Sequence, residues 1–189
     1  MVKGVKSVDL TVLIDTSFNT VQSGFKFIID GVQLVLGRLY DVRLAVANFH
    51  EVKFKLDQYI DEEDQLNALQ NLSYRLQYGS RLAEGVHAVH TTIYNGSAGD
   101  RPGVQDVILV MLYTDDIIQE SLEDSVAEAK SDGIHIIAVG IRTRSNHWQN
   151  ILNMIVSEPL EDNQLIATSY EALLDMDKEI AEVIKRSIS

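Results

Sequence analysis

The sequence predicts an α/β fold, doubly wound, in which helices cover both faces of a mostly parallel central sheet. Three runs, Val8–Ile14, Asp106–Thr114 and Ile134–Ile141, are almost continuously apolar and too short for ordinary helices, which is typical of buried parallel strands. Segments with the apolar spacing of amphipathic helices separate them. The short connection 48–51 joins two further strand-like runs and predicts one antiparallel hairpin strand at an edge of the sheet.

Composition limits the classes of protein that the chain can belong to. Its 189 residues fit one domain over 7–189 after a short N-terminal tail, 1–6. The net charge of −12 argues against a nucleic-acid backbone or an anionic membrane as partner, and no run approaches the ~20 apolar residues of a membrane span. Because there is no cysteine, a disulfide, a thiolate nucleophile or a zinc–sulfur site is excluded within this chain.

The first half of the chain predicts three strands and two helices. The run from Val8 ends abruptly at Asp15, and apolar residues then recur with helical spacing from Val21 to Leu39. A cluster of acids opens a further helix and complements its dipole. The remaining elements predicted in this half are strands over 42–49 and 52–56 and a helix over 61–72.

The second half alternates helices and strands. Gly133 is placed to end a helix as its C′ residue, and the Gly-rich segment 95–103 is the clearest loop. The elements predicted here are helices over 82–94, 121–132, 148–156 and 169–188, the strands 106–114 and 134–141, and an edge strand over 165–168.

Oxygen-bearing side chains follow two of the buried strands. Asp15, Ser17 and Asn19 occupy alternate positions after the first strand, and Asp115 follows a second. In open parallel sheets, ligands bind beyond the carboxyl ends of the strands. Two carboxylates at one edge are costly unless a cation or hydrogen bonds compensate them, although each could merely cap the element that follows. Oxygen ligands suit hard cations such as Mg²⁺ or Ca²⁺.

The order of motifs resembles the von Willebrand factor A family. The segment 15–19 resembles that family's Asp-x-Ser-x-Ser loop, and Thr114-Asp115-Asp116 resembles its Thr-Asp-Gly motif. The segment 78–86 is similar to its Gly-Gly-x-Thr-x-Thr-Gly segment, 137–141 to its penultimate strand, and 169–173 to the start of its last helix. The resemblance covers nearly the whole chain.

This resemblance implies a metal-ion-dependent adhesion site. It assigns Asp15 (through a water), Ser17, Asn19 and Asp115 to a divalent cation, whose coordination an acidic side chain of the partner would complete. Leu82, however, stands where the family has a metal-side threonine, and Ser80 replaces it only if the loop is shifted. We therefore expect Mg²⁺, Ca²⁺ or Mn²⁺ to be weakly bound or absent.

The resemblance also implies a function. It indicates a non-catalytic interaction and adhesion module, secreted into the extracellular matrix as in type VI collagen chains, matrilins or shell and byssus matrix proteins. Its expected partners are collagen-like proteins or other modules of the family. The sequons Asn71-Leu72-Ser73 and Asn95-Gly96-Ser97 predict possible glycosylation at Asn71 and Asn95.

Two alternatives stay open at this point. One is an intracellular scaffold of the same fold that uses a metal-independent surface. The other is a Mg²⁺-dependent phosphatase or phospho-acceptor built on Asp15 and Asp115. The sequence contains no phosphate-binding loop and no dinucleotide fingerprint, which argues against nucleotide hydrolysis and NAD chemistry. It also contains no Gly-x-Ser-x-Gly motif or other recognisable setting for a serine nucleophile.

Overall fold

The chain folds around one six-stranded sheet. The structure, a computed structural model, describes residues 6–17, 22–75, 79–95, 97–113, 117, 120–142 and 146–189. The strands are β1 (Val8–Ile14), β2 (Val42–Asn48), β3 (Val52–Phe54), β4 (Gln105–Leu112), β5 (His135–Ile141) and β6 (Gln164–Ala167). Their order across the sheet is β3-β2-β1-β4-β5-β6, and every neighbouring pair is parallel except β2 with β3. The predicted fold class and its antiparallel edge hairpin are confirmed.

Helices lie on both faces of this sheet. They are α1 (Gln22–Leu36), α2 (Glu62–Gln70), α3 (Leu82–Thr92), α4 (Leu122–Ser131), α5 (Asn146–Ile155) and α6 (Asp177–Ser187). The apolar residues of α1 and α6 form one core cluster with one face of the strands, and those of α3, α4 and α5 form a second cluster with the other face. Within the described residues, no helix is both long and apolar enough to cross a membrane.

The burial of the central strands explains why their sequences are almost continuously apolar. All seven residues of β1 are buried, which fits a strand with neighbours on both edges and helices on both faces. Gly133 ends α4 with a φ of 89°, as predicted for a C′ glycine. His135, at the start of β5, contacts the side-chain oxygen of Asn163 at 2.8 Å, in agreement with a structural role.

The prediction of one final helix over 169–188 is wrong in its first part. A 3₁₀ turn, Glu171–Asp175, comes first, and α6 begins only at Asp177. This segment packs closely against α1, where an added Cβ on Gly31 would lie 3.3 Å from the Leu173 Cβ. The tighter turn lets Leu173 enter the core before the chain changes direction into α6.

The register brings the ends of the parallel strands to one edge. Ile14 of β1 pairs with Asn48 of β2 and with Met111 of β4. The residues that follow these carboxyl ends, such as Asp15 and Tyr113, therefore lie side by side, and we call this edge the carboxyl edge. It is the edge at which the sequence predicts a cation site.

Candidate metal centre

Asp15 is fixed at the carboxyl edge by backbone donors. Its carboxylate is fully buried, and Oδ1 accepts a hydrogen bond from the Ser17 backbone N–H at 2.8 Å. Oδ2 accepts a hydrogen bond from the Tyr113 N–H at 3.2 Å, and the Asp15 N–H donates to the Met111 carbonyl at 2.9 Å. One side chain thus ties the loop after β1 to the end of β4, which orients the carboxylate in advance of any ligand.

Three buried hydroxyl groups belong to the two segments, 15–19 and 78–86, that resemble the family's cation loops. Thr16, Ser17 and Ser80 are 3%, 5% and 2% exposed, and their side-chain oxygens have no hydrogen-bond partner among the described residues. Leaving a buried hydroxyl unsatisfied costs about 1–3 kcal/mol, so native structures rarely do so without a water or an ion. Together with Asp15, these hydroxyls are oxygen donors of the type that Mg²⁺, Ca²⁺ and Mn²⁺ accept.

Ser80 offers the oxygen of the middle loop, whereas Leu82 does not. Leu82 is fully buried and belongs to the core cluster that also contains Leu13 and Phe49. Ser80 forms an isolated parallel bridge with Ile117, the residue two positions after Asp115. Through this bridge, the segment keeps a hydroxyl-bearing residue next to Ile117. Leu82 nevertheless stands at the position of the family's threonine.

Two of the four predicted ligands lie outside the described residues. These are Asn19 and Asp115, and the neighbouring Thr114 and Asp116 lie outside them as well. The structure brings Asp15 and Ser17 together through their hydrogen bond. The complete set of Asp15, Ser17, Asn19 and Asp115 stays a prediction.

Tyrosine residues lie near Asp15, and the sequence patterns do not single them out. Burial, and then the negative charge of Asp15, raise the pKa of the Tyr74 phenol, which places Tyr74 close to that carboxylate. Tyr113 stacks on Tyr170 with ring centroids 4.8 Å apart. Arg142, exposed after β5, has a φ of 58° and donates a long hydrogen bond of 3.4 Å to the Tyr113 hydroxyl. The relevant signal was only the position of Tyr113 and Arg142 directly after strands.

A second acidic cluster lies at the opposite edge of the sheet. Carboxylate oxygens of Asp9, Asp100 and Asp106 lie within 4.8 Å of one another. Arg101 neutralises part of this charge, since its Nε donates to Asp9 at 2.7 Å and its backbone N–H donates at 2.6 Å. Burial, followed by the charges of Asp100 and Asp9, raises the pKa of Asp106 to about 7. An ion pair and a proton thus account for the cluster without a ligand.

Both sequons are accessible. Asn71 is exposed at the end of α2, and Asn95 is exposed in the turn after α3. The Asn95 side-chain oxygen accepts hydrogen bonds from the backbone N–H of Ser97 at 3.0 Å and from its hydroxyl at 2.6 Å. Glycosylation at either position stays a prediction.

Comparison with known proteins decides the family. The sequence model of the von Willebrand factor type A domain matches residues 9–179. The chain belongs to this family. Among vWA relatives, mouse matrilin-1 is 27% identical over 184 residues, which is 93% of this chain and 35% of the relative. Chicken matrilin-3 is 24% identical and covers 94% of this chain and 40% of its own length. The chain thus spans little more than a third of the curated relatives that it matches.

Solved structures agree on the vWA fold. Proximal thread matrix protein 1 from the mussel byssus superimposes with a TM-score of 0.86 at 18% identity, over 95% of this chain and 48% of the other. Another structure of that protein, with a zinc-occupied MIDAS motif, has a TM-score of 0.84 at 18% identity, over 95% and 48%. The pilus adhesin SpaC of Lactobacillus rhamnosus GG reaches 0.68 at 14% identity, over 97% and 31%.

Proposed function

We propose that this vWA chain is a non-catalytic interaction and adhesion module of a secreted extracellular matrix protein. It binds collagen or another matrix protein through the carboxyl edge, and its dependence on divalent cations is weak or absent. The observation that carries the proposal is the buried Asp15 carboxylate, which is held by two backbone donors. Buried hydroxyls accompany it that have no partner within the part of the chain that the structure describes.

The relatives support a matrix setting. Matrilins match over most of this chain, and the byssus protein with the same fold is named a matrix protein. Because the chain covers only 35% of matrilin-1, we assign matrix partners to this chain as a proposal. A vWA module serving as one interaction unit within a longer chain fits this coverage.

The carboxyl edge offers side chains suited to a protein interface. Tyrosine and arginine are enriched among the residues that contribute most to binding. Tyr113 follows β4 beside Asp15, and Arg142 contacts the Tyr113 hydroxyl. Arg142 adopts a left-handed backbone conformation, which costs about 1 kcal/mol or more for a residue other than glycine. Such local strain is concentrated at functional sites, which supports a role of Arg142 in partner contact.

A cation would add one contact to this surface. When bound, it would take oxygens from Asp15, Ser17, Asn19 and Asp115 and accept a carboxylate of the partner. The residues present fit such an ion in part, because Asp15 and the buried hydroxyls offer oxygens whereas Leu82 offers none. We therefore propose that the aromatic and arginine side chains contribute more to binding than the ion.

The geometry disfavours a phospho-acceptor at Asp15. An acceptor carboxylate has to attack phosphorus with a free oxygen that a substrate can reach. Asp15 has no exposed surface, and each of its oxygens accepts a backbone hydrogen bond. These contacts suit an orienting carboxylate better than a nucleophile.

Secretion has its own test. We propose glycans at Asn71 and Asn95, since both side chains are exposed. The chain secreted by mammalian cells should lose mass on enzymatic removal of N-glycans, and Asn71→Gln and Asn95→Gln should each remove part of that loss. An unchanged mass would favour the intracellular scaffold instead.

Surface plasmon resonance tests the binding proposal. Triple-helical collagen, and separately a second copy of this vWA chain, are immobilised as probes. We expect binding to at least one probe, weakened about fivefold or more by Tyr113→Ala and by Arg142→Ala, which corresponds to about 1 kcal/mol. Tyr40→Ala, 68% exposed in the turn before β2 at the opposite edge of the sheet, is the matched control and should bind normally. Binding that both edge variants leave unchanged would contradict the proposal.

A further inference from the structure

The outer edge of β6 presents free backbone groups. The carbonyl oxygens of Asn163 and Ala167 accept hydrogen bonds from β5, from the N–H groups of Ala138 at 2.9 Å and Arg142 at 2.8 Å. Because alternate residues of a strand direct their backbone groups to opposite sides, Gln164 and Ile166 face away from β5. β6 is the last strand of the sheet, and among the described residues no backbone hydrogen bond reaches these outward groups.

An acidic cleft runs beside this edge. It has a volume of about 470 Å³ and lies between β6 and α6. Five acidic side chains line it: Glu161, Asp162, Asp175, Glu179 and Glu182. Two basic side chains, Lys178 and Arg186, line it as well, so negative charge predominates.

The charge of the cleft is only partly compensated from within the chain. Lys185 pairs with Glu182 at 3.0 Å, and both side chains are solvent-accessible, so the pair is weak. Arg186 donates to the backbone carbonyl of Asp162 rather than to a carboxylate, at 3.3 Å. Among the described residues, Glu161 and Glu179 form no ion pair, which leaves their charges available to a partner.

We propose that the outer edge of β6 and its acidic cleft bind an extended, lysine- or arginine-bearing peptide segment by strand addition. The peptide backbone would pair with the outward groups of Gln164 and Ile166, and its basic side chains would enter the cleft. Ile166, which is 45% exposed, offers the apolar contact that strand addition commonly uses on alternate side chains. This surface is separate from the carboxyl edge, so the inference does not depend on the adhesion proposal.

A second copy of this chain is the less suitable occupant. Pairing β6 with β6 would bring two clefts of the same sign together, and like charges facing each other oppose association. The whole chain carries a net charge of −12, which adds to this repulsion. A basic strand gains from both features.

The first experiment uses a fluorescein-labelled peptide of about ten residues, in which lysine and valine alternate, as the probe. Fluorescence anisotropy should show saturable binding that weakens as salt is raised, and a matched peptide of alternating glutamate and valine should not bind. Hydrogen exchange followed by NMR should show new protection of the Gln164 and Ile166 amides. The Leu165 and Ala167 amides should change little, since they already face β5.

Variants separate strand addition from general charge attraction. Ile166→Pro removes an outward N–H without removing a β5 hydrogen bond and should abolish binding, whereas Ile166→Val should bind normally. Glu179→Gln should weaken binding about two- to fivefold without affecting the fold. Glu63→Gln on α2, also exposed, is the matched control.

Three results would overturn the inference. The first is equal binding of the acidic peptide, and the second is protection of amides away from β6. The third is self-association that protects the Gln164 and Ile166 amides without peptide. If Ile166→Pro fails to fold, as a thermal melt would show, unchanged binding by Glu179→Gln overturns it instead. None of these results tests binding at the carboxyl edge, which the Tyr113→Ala and Arg142→Ala variants test separately.

Discussion

At the scale of single residues, two buried carboxylates at opposite ends of β1 are compensated in different ways. Asp15 accepts backbone hydrogen bonds at the carboxyl edge. Asp9, at the other end of β1, is paired with Arg101, and the pairing of Asp9 with Asp106 in the register brings a further acid beside it. Among the described residues, one buried carboxylate oxygen of Asp106 has no hydrogen-bond partner, so the charge of Asp106 is the least compensated of the three.

The pH dependence of stability should report on Asp106. Its folded-state pKa of about 7 lies above its ordinary value of 3.8, so the folded chain keeps a proton that the unfolded chain releases between these values. The free energy of unfolding therefore falls as the pH rises from about 4 through about 7. We expect the free energy of unfolding of Asp106→Asn, measured by urea titration, to rise relative to that of wild type by about 1–3 kcal/mol between pH 5 and pH 8.

A matched variant controls for general charge effects. Asp124→Asn removes an exposed acid of α4 and should follow the wild-type pH profile. Parallel profiles for wild type and Asp106→Asn would show that Asp106 does not hold this proton.

At the scale of elements, the start of α1 depends on a close approach to the segment after β6. An added Cβ at Gly24 would lie 2.3 Å from the ring of Tyr170, which is far inside van der Waals contact. Tyr170 in turn stacks on Tyr113, the residue that donates to Asp15. A glycine inside a helix here allows α1 and the carboxyl edge to pack together.

Gly24→Ala should therefore destabilise the chain although alanine favours helices. The helix gains about 1 kcal/mol from the replacement, but displacing a buried tyrosine ring costs about 1–3 kcal/mol, so we expect a net loss of up to ~2 kcal/mol in chemical denaturation. Gly37→Ala is the control, because its Cβ would meet only carbonyl oxygens at 3.6 Å or more. Equal stability of the two variants would contradict this packing role of Gly24.

The sequence predicted those elements whose pattern is set locally. β1, β4 and β5 are unbroken apolar runs because both faces of the sheet are covered, so their positions could be predicted within two residues. The division of the last helix could not, because it depends on the close contact of Leu173 with α1. A periodicity of 3.6 residues contains no information about such a contact.

The candidate site also combines features set by local sequence with features set by distant contacts. Asp15 and Ser17 could be predicted because they follow a buried strand directly. The proximity of Tyr74 to Asp15, and the burial of the Ser80 hydroxyl, depend on how a loop returns to the carboxyl edge, which no local pattern encodes. Asn19 and Asp115 remain predictions from the family resemblance.

At the scale of the whole molecule, the vWA fold places two different surfaces on one acidic chain. The carboxyl edge combines Asp15 with tyrosine and arginine side chains, and the outer edge of β6 combines free backbone groups with acidic residues. A module with two independent contacts could link two partners in a matrix, which agrees with the proposed function.

We propose that the carboxyl edge keeps the framework of a cation site but has little affinity for the cation. Isothermal titration calorimetry with Mg²⁺, Ca²⁺ and Mn²⁺ measures this affinity, and Asp15→Asn is the variant that retains an acceptor oxygen. We expect a dissociation constant of about 1 mM or higher, which is a binding free energy of about −4 kcal/mol or less negative, or no measurable binding. A micromolar dissociation constant that Asp15→Ala abolishes would contradict it.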